Sequence, residues 1–154
     1  VDRPRFQDLQ LEAFVHATES RDLVEAAMLQ VAPGARVEGR TTGGHFGQPL
    51  QILRARLRDG PAVDAVVGRL AASEGAAIAR SAGRRVDEQG RVFVRLDKQA
   101  AARGRLELSL DPAHDVIKVS FRLRAPPRRP EALVAAVEGW FAPGTPGAAH
   151  REEE

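Results

Sequence analysis

Cysteine, tyrosine and asparagine are all absent from this 154-residue chain. Without a thiol there is no disulfide, no thiolate catalysis, no zinc knuckle and no iron–sulfur cluster. Aromatics are scarce, with six Phe and one Trp. A platform of several stacked bases, as in an RRM, therefore has little material. No apolar run approaches the ~20 residues of a membrane helix. The opening VDRPRFQDLQ is polar and carries no signal-like apolar stretch, so the sequence predicts a cytoplasmic protein. Loss of thermolabile residues is a thermophile trait and suggests heat adaptation. Lysine enrichment, the other mark of hyperthermophiles, is missing, and an Arg-, Ala- and Gly-rich chain also fits a GC-rich genome.

What is present is arginine. Lys98 and Lys118 are the only lysines among 23 basic residues. The net charge of +2 conceals a gradient: residues 84–129 hold twelve basic against six acidic side chains, and residues 130–154 hold one against five. Basic charge gathered in one region is the footprint of a polyanion site, or of an ordinary solvated face.

Periodicity gives the elements. Leu9–Thr18 alternates with Leu11, Ala13, Val15 and Ala17 on one side, which predicts a strand. Ser20 is placed to cap a helix whose stripe is Leu23, Val24, Ala27, Met28 and Val31 and which Pro33-Gly34 ends. Arg36–Thr41 reads as a weak strand and Leu50–Arg58 as a strong one. Gly60-Pro61 opens a helix with Val63, Val66, Val67 and Leu70 on one face, and Ser73 and Gly75 are places where it could split. Arg84–Asp87 and Val92–Asp97 read as a hairpin around Glu88-Gln89-Gly90. Leu106–Leu110 and Ile117–Leu123 alternate as strands, and Pro130 opens a last helix with Leu133, Val134, Val137, Trp140 and Phe141. The sum is an α+β domain over residues 1–142, with 143–154 as a flexible tail. Clean alternation predicts a mainly antiparallel sheet with helices on one face. Leu53, Leu57, Val94, Leu108, Val119 and Leu123 should be buried. The opposite, wet face should collect Arg54, Arg56, Arg58, Arg95, Lys118, Arg122 and Arg124, beside Ser109 and Ser120.

The stretch GGHFGQPLQILRARLR, residues 43–58, poses the functional question. It lacks the Lys-Ser/Thr of a P-loop, and no GxGxxG precedes a helix. GHFG matches the GxxG that clamps backbone in KH domains, although here a strand follows. A plain turn needing glycine is the alternative. His45 and Phe46 each offer a π-face to a base. The histidines show no metal-ligand spacing, and no metal or other cofactor is expected. Asp97 in RLDKQ has no visible carboxylate partner for two-carboxylate chemistry, so an ion pair with Arg95, Lys98 or a neighbouring strand is the expected role. Three arginines at alternate strand positions project from one face about 6.6–7 Å apart, near a nucleotide repeat. Arginine bonds phosphate bidentately. The RNA contacts expected from these patterns are Arg54, Arg56, Arg58, Arg95, Lys98, Lys118, Arg122, Arg124 and His45.

GGHFGQPLQILRARL together with GRVFVRLDKQAAARGRLELS resembles a small family of archaeal predicted RNA-binding proteins, proposed to be exosome-associated and long classed as a domain of unknown function. The opening LEAFVHATES fits as well, and the resemblance covers most of residues 9–141. Gln48 stands where the family pattern carries Asn before the loop proline. The resemblance implies a fold similar to the large-subunit ribosomal protein that binds 5S rRNA. It also implies RNA binding in RNA processing, degradation or ribosome metabolism, with exosome or ribosomal components as partners; it supplies no proven catalytic residues, and none is expected. Two other readings stand beside it: an adaptor that binds an acidic protein without touching RNA, and a hydrolase of RNA or nucleotides with His45 and Asp97 in its site.

Overall fold

The computed structural model describes residues 5–43, 49–109 and 115–142. Its strands are β1 (Phe6–Val15), β2 (Arg36–Gly43), β3 (Pro49–Leu57), β4 (Arg91–Asp97) and β5 (Val116–Leu123). Its helices are α1 (Arg21–Val31), α2 (Gly60–Arg80), α3 (Ala82–Arg85), α4 (Lys98–Ala102) and α5 (Pro130–Phe141). The strands make one antiparallel sheet in the order β2-β3-β1-β5-β4, with helices packed on it. The α+β expectation holds. Among the described residues no helix is long and apolar enough to cross a membrane. The glycine loop with His45, and the expected tail at 143–154, lie outside the described residues.

The chain divides into two compact units. The first comprises Val1–Leu9, Arg58–Val94 and Ser120–Glu154. Its core is aromatic. Phe6, Phe121 and Phe141 are fully buried, and the Phe6 and Phe121 rings meet edge to face at 5.3 Å, a favoured quadrupole arrangement. The Asp64 carboxylate of α2 accepts hydrogen bonds from the Arg5 and Phe6 amides, which ties the start of β1 to that helix. Asp59 caps α2 by accepting from the Ala62 amide. The possible split at Ser73 and Gly75 is a kink: Glu74 leaves helical geometry at φ −133°, ψ 21°. Gly75 then allows α5 to approach, since a Cβ there would lie 2.7 Å from the Phe141 carbonyl oxygen. The hairpin turn at Glu88-Gln89-Gly90 forms, with Gly90 at φ +81°. Its first arm is shorter than expected. Arg84 and Arg85 end α3, and only Val86 bridges to Val92.

The second unit comprises Gln10–Leu57 and Arg95–Val119. Leu11, Ala13, Val15, Leu53, Ala55, Leu57, Leu96, Ile117 and Val119 supply its buried strand positions. Val24, Ala27, Met28 and Val31 of α1 and Ala100 and Ala101 of α4 are buried with them. Ser20 is the N-cap of α1 by backbone conformation, but its hydroxyl makes no capping bond. Of the expected strand Leu106–Leu110, the described residues make a single bridge, Leu96 to Leu108, and Leu110 lies outside the described residues. Of the six residues expected in the core, Leu53, Leu57, Val94 and Val119 are buried, while Leu108 and Leu123 are only half-buried.

Candidate nucleic-acid interface

On β3 the burial alternates: Leu53, Ala55 and Leu57 point inward, while Arg54 and Arg56 are exposed. The β2–β3 register is antiparallel and pairs Arg36 with Arg56, Glu38 with Arg54 and Arg40 with Ile52. Directly opposed residues share a sheet face. Arg36 and Arg40 therefore join the arginines of β3, and both are exposed. Neither was among the expected contacts. The signal was available in the alternation Arg36-Val37-Glu38-Gly39-Arg40, whose short apolar partners make it read weakly. Glu38, Gly39, Arg40, Ile52 and Arg54 line a shallow depression of about 370 Å³ on this surface.

The face continues across β1 and β5. Arg54 donates to Glu12 of β1 at 2.9 Å, which fixes the guanidinium and offsets part of its charge. The Lys118 ammonium of β5 lies 5.7 Å from the centroid of the Phe14 ring on β1, within cation–π range. The Lys98 amide bonds the Asp115 carbonyl. Counting back along both strands from that bond sets Lys118 opposite Arg95, and both are exposed. In this unit Arg36, Arg40, Arg54, Arg56, Arg95 and Lys118 thus share a surface with Glu12 and Glu38, and Asp97 follows Arg95 on the same side of β4. The cations outnumber the carboxylates among these residues, and every one of the cations but Lys118 is an arginine.

Lys98 is not part of it. Its side chain is 3% exposed. The ammonium donates to the Phe14 carbonyl at 2.9 Å and to Glu19 at 3.0 Å, and it lies 3.2 Å from Asp115. The reason is local: Asp97 caps α4 by accepting from the Ala100 amide at 2.8 Å, so Lys98 opens a helix instead of extending β4. Asp97 is therefore a helix cap, in place of the ion pair expected for it. His16, Glu19 and Asp115 offer possible metal-ligand atoms within 4.8 Å of one another. A divalent ion there would sit against the Lys98 ammonium, which already bonds both carboxylates, so the donor set does not suit one. Burial pushes the Asp115 carboxyl up, but hydrogen bonds from Gln99 and Lys98 and the nearby Lys98 and His16 charges outweigh it and hold the group below the usual carboxylate range.

Apart from His45, the other expected contacts belong to the first unit. Arg58 and Arg124 are exposed, and the Arg124 amide bonds the Arg5 carbonyl. Arg122 is half-buried, and its Nε is buried with no hydrogen-bond partner. Arg91 is anchored by Asp8 at 2.7 Å and by the Ser120 hydroxyl at 2.9 Å.

A family model described as RNA binding matches residues 8–123, which takes in the whole of this face. The chain belongs to the RNA binding family. A Pyrococcus abyssi protein named RNA-binding protein PAB1135 is 29% identical over 144 residues, covering 87% of this chain and 92% of the relative. The solved structure of a DUF54 protein from Methanothermobacter thermautotrophicus matches with a TM-score of 0.76 at 28% identity, over 86% of this chain and 96% of that one. A DUF54 protein from Sulfolobus solfataricus shares the fold, with a TM-score of 0.60 at 20% identity over 84% of this chain and 96% of that one. The sequence resemblance to an archaeal RNA-binding family is thereby supported.

Proposed function

We propose that this protein binds RNA without cleaving it, through the arginine face formed by Arg36, Arg40, Arg54, Arg56, Arg95 and Lys118. The observation that carries the reading is the β2–β3 register, which sets Arg36 beside Arg56 on a surface that alternation had already marked as wet. Guanidinium groups at alternate positions of one strand, such as Arg54 and Arg56, can grip successive phosphates bidentately, at a spacing near that of the nucleotide repeat. The family and the name of the Pyrococcus relative support RNA as the polyanion. We further propose a setting in RNA processing, RNA degradation beside the exosome, or ribosome metabolism, and this rests on the family resemblance.

Binding of RNA over a range of salt concentrations tests the face. For single strands the logarithm of affinity falls with the logarithm of salt at a slope of about −0.7 per phosphate neutralised. Arg54→Ala with Arg56→Ala should flatten the slope by roughly 1.4 if each residue holds one phosphate. Removal of Arg54 also frees the Glu12 carboxylate, which adds repulsion. Unchanged slope and affinity in the double variant would exclude this face and favour Arg58, Arg122 and Arg124. A wild-type protein that shortens the RNA during the titration would reinstate the hydrolase reading.

A further inference from the structure

We propose that Phe93 is a base-stacking residue, so that the RNA bound here presents an unpaired base to β4 instead of a continuous duplex. This rests on the RNA-binding reading and narrows its substrate class. Most of the scarce aromatic residues have a structural task. Phe6, Phe121 and Phe141 fill a core, and Phe14 lies beneath Lys118. Phe93 is 48% exposed, while its strand neighbours Val92 and Val94 are buried. The apolar requirement of β4 is met without it.

The surroundings of Phe93 point to a nucleic-acid base as its occupant. The Leu123 amide bonds the Gly90 carbonyl. Counting inward from that bond sets Phe93 opposite Ser120 and Arg122 opposite Arg91. A small hydroxyl residue across the strand leaves the ring uncovered from that side. Arg122 occupies the position diagonal to the ring in this unit, and its charge complements the phosphates that accompany any base; Arg91, which flanks the ring, is paired with Asp8. The platform is also held in place. Arg85 donates to the Phe93 carbonyl at 3.3 Å, and Arg91 is tied to Asp8 and Ser120. A fixed aromatic ring with two χ angles loses little freedom on binding, and every base has a π-face to offer. In a duplex the bases are stacked on one another and cannot cover the ring.

The test uses the full chain with a short single-stranded RNA and the same sequence annealed as a blunt duplex, at low and high salt. Phe93→Ala should lose about 5- to 150-fold in single-strand affinity, the range found for one stacked base. Its duplex affinity and salt slope should be unchanged. Phe93→Tyr should retain single-strand binding, whereas Phe93→Leu, which keeps apolar area but no π-face, should lose it. A 2-aminopurine in the single strand should be quenched by the wild type and not by Phe93→Leu. If the wild type binds RNA and Phe93→Ala and Phe93→Leu bind the single strand as tightly, stacking is overturned while the arginine face stands. If the wild type binds neither RNA form at low salt, the parent reading falls as well.

Discussion

Replacing Lys98 separates a charge that stabilises the fold from one that binds ligand. The ammonium bonds the Phe14 carbonyl at 2.9 Å and Glu19 at 3.0 Å, and lies 3.2 Å from Asp115. Removing one partner from a buried ion pair costs about 3–5 kcal/mol, because the remaining charge is left unpaired. Here the stranded carboxylates are 21% and 43% exposed, so water recovers part of that loss. Lys98→Met keeps the buried stem and should cost about 2–3 kcal/mol. Lys98→Ala also forfeits three buried methylenes at about 0.8 kcal/mol each, and should reach about 4–5 kcal/mol. For a chain of this size 1 kcal/mol moves the melting temperature by about 2–4 °C. Lys98→Met should therefore melt roughly 4–12 °C lower by calorimetry or circular dichroism. The salt slope of RNA binding should not change, because a buried ammonium neutralises no phosphate. A variant that melts within about 1 °C of wild type and binds RNA with a slope flatter by about 0.7 would refute the reasoning and return Lys98 to the RNA contacts.

The fold offers two further tests. The Asp115 carboxyl is held below the usual carboxylate range, so it stabilises the folded state above the unfolded value of about 4 and loses that contribution as pH falls through its lowered folded value. Asp115→Asn should thus flatten the acid limb of a melting-temperature profile below about pH 4, and an unaltered limb would contradict the Lys98–Asp115 interaction. Gly75→Ala gains helix propensity of about 1 kcal/mol but sets a Cβ 2.7 Å from the Phe141 carbonyl oxygen. A net loss of about 1–2 kcal/mol in denaturant unfolding is expected, and a more stable variant would mean that α2 and α5 approach less closely.

Alternation made much of this molecule legible. Leu53, Ala55 and Leu57 on β3 and Val92, Val94 and Leu96 on β4 lie on the side that their spacing assigned. Where the reading failed, the cause was a local break in the period. Asp8 adopts φ +53°, and the chain bulges there, so Phe6 and Leu9, three residues apart, are both buried. A strict period of two excludes that pair, which explains why β1 was expected to begin at Leu9 and instead begins at Phe6. Leu106 and Leu108 also alternate, yet the described part of this stretch makes a single bridge, Leu108 to Leu96. Alternation states which side a residue prefers; it does not supply a partner strand. The candidate face was legible for Arg54, Arg56, Arg95 and Lys118. Arg36 and Arg40 gave only a weak alternation in the sequence, and the β2–β3 register is what sets them on the face.

The two lysines show that the choice of cation carries information beyond its charge. An ammonium has three donors and no acceptor, whereas a guanidinium has five donors in a rigid plane. At Lys98 the site supplies the Phe14 carbonyl, Glu19 and Asp115. Three acceptors match an ammonium, and an arginine there would bury donors without partners at a cost of about 1–3 kcal/mol each. At Lys118 the neighbour is an aromatic ring, which a compact charge can approach without hydrogen bonds. The cations of the β2–β3 surface are all arginine, and Arg54 among them donates to Glu12. Planar forks left exposed on a sheet suit a ligand with paired oxygens at regular spacing, and RNA phosphates supply that pattern. Arg54→Lys with Arg56→Lys keeps the charge and removes the fork, so RNA affinity should fall while the salt slope is largely retained.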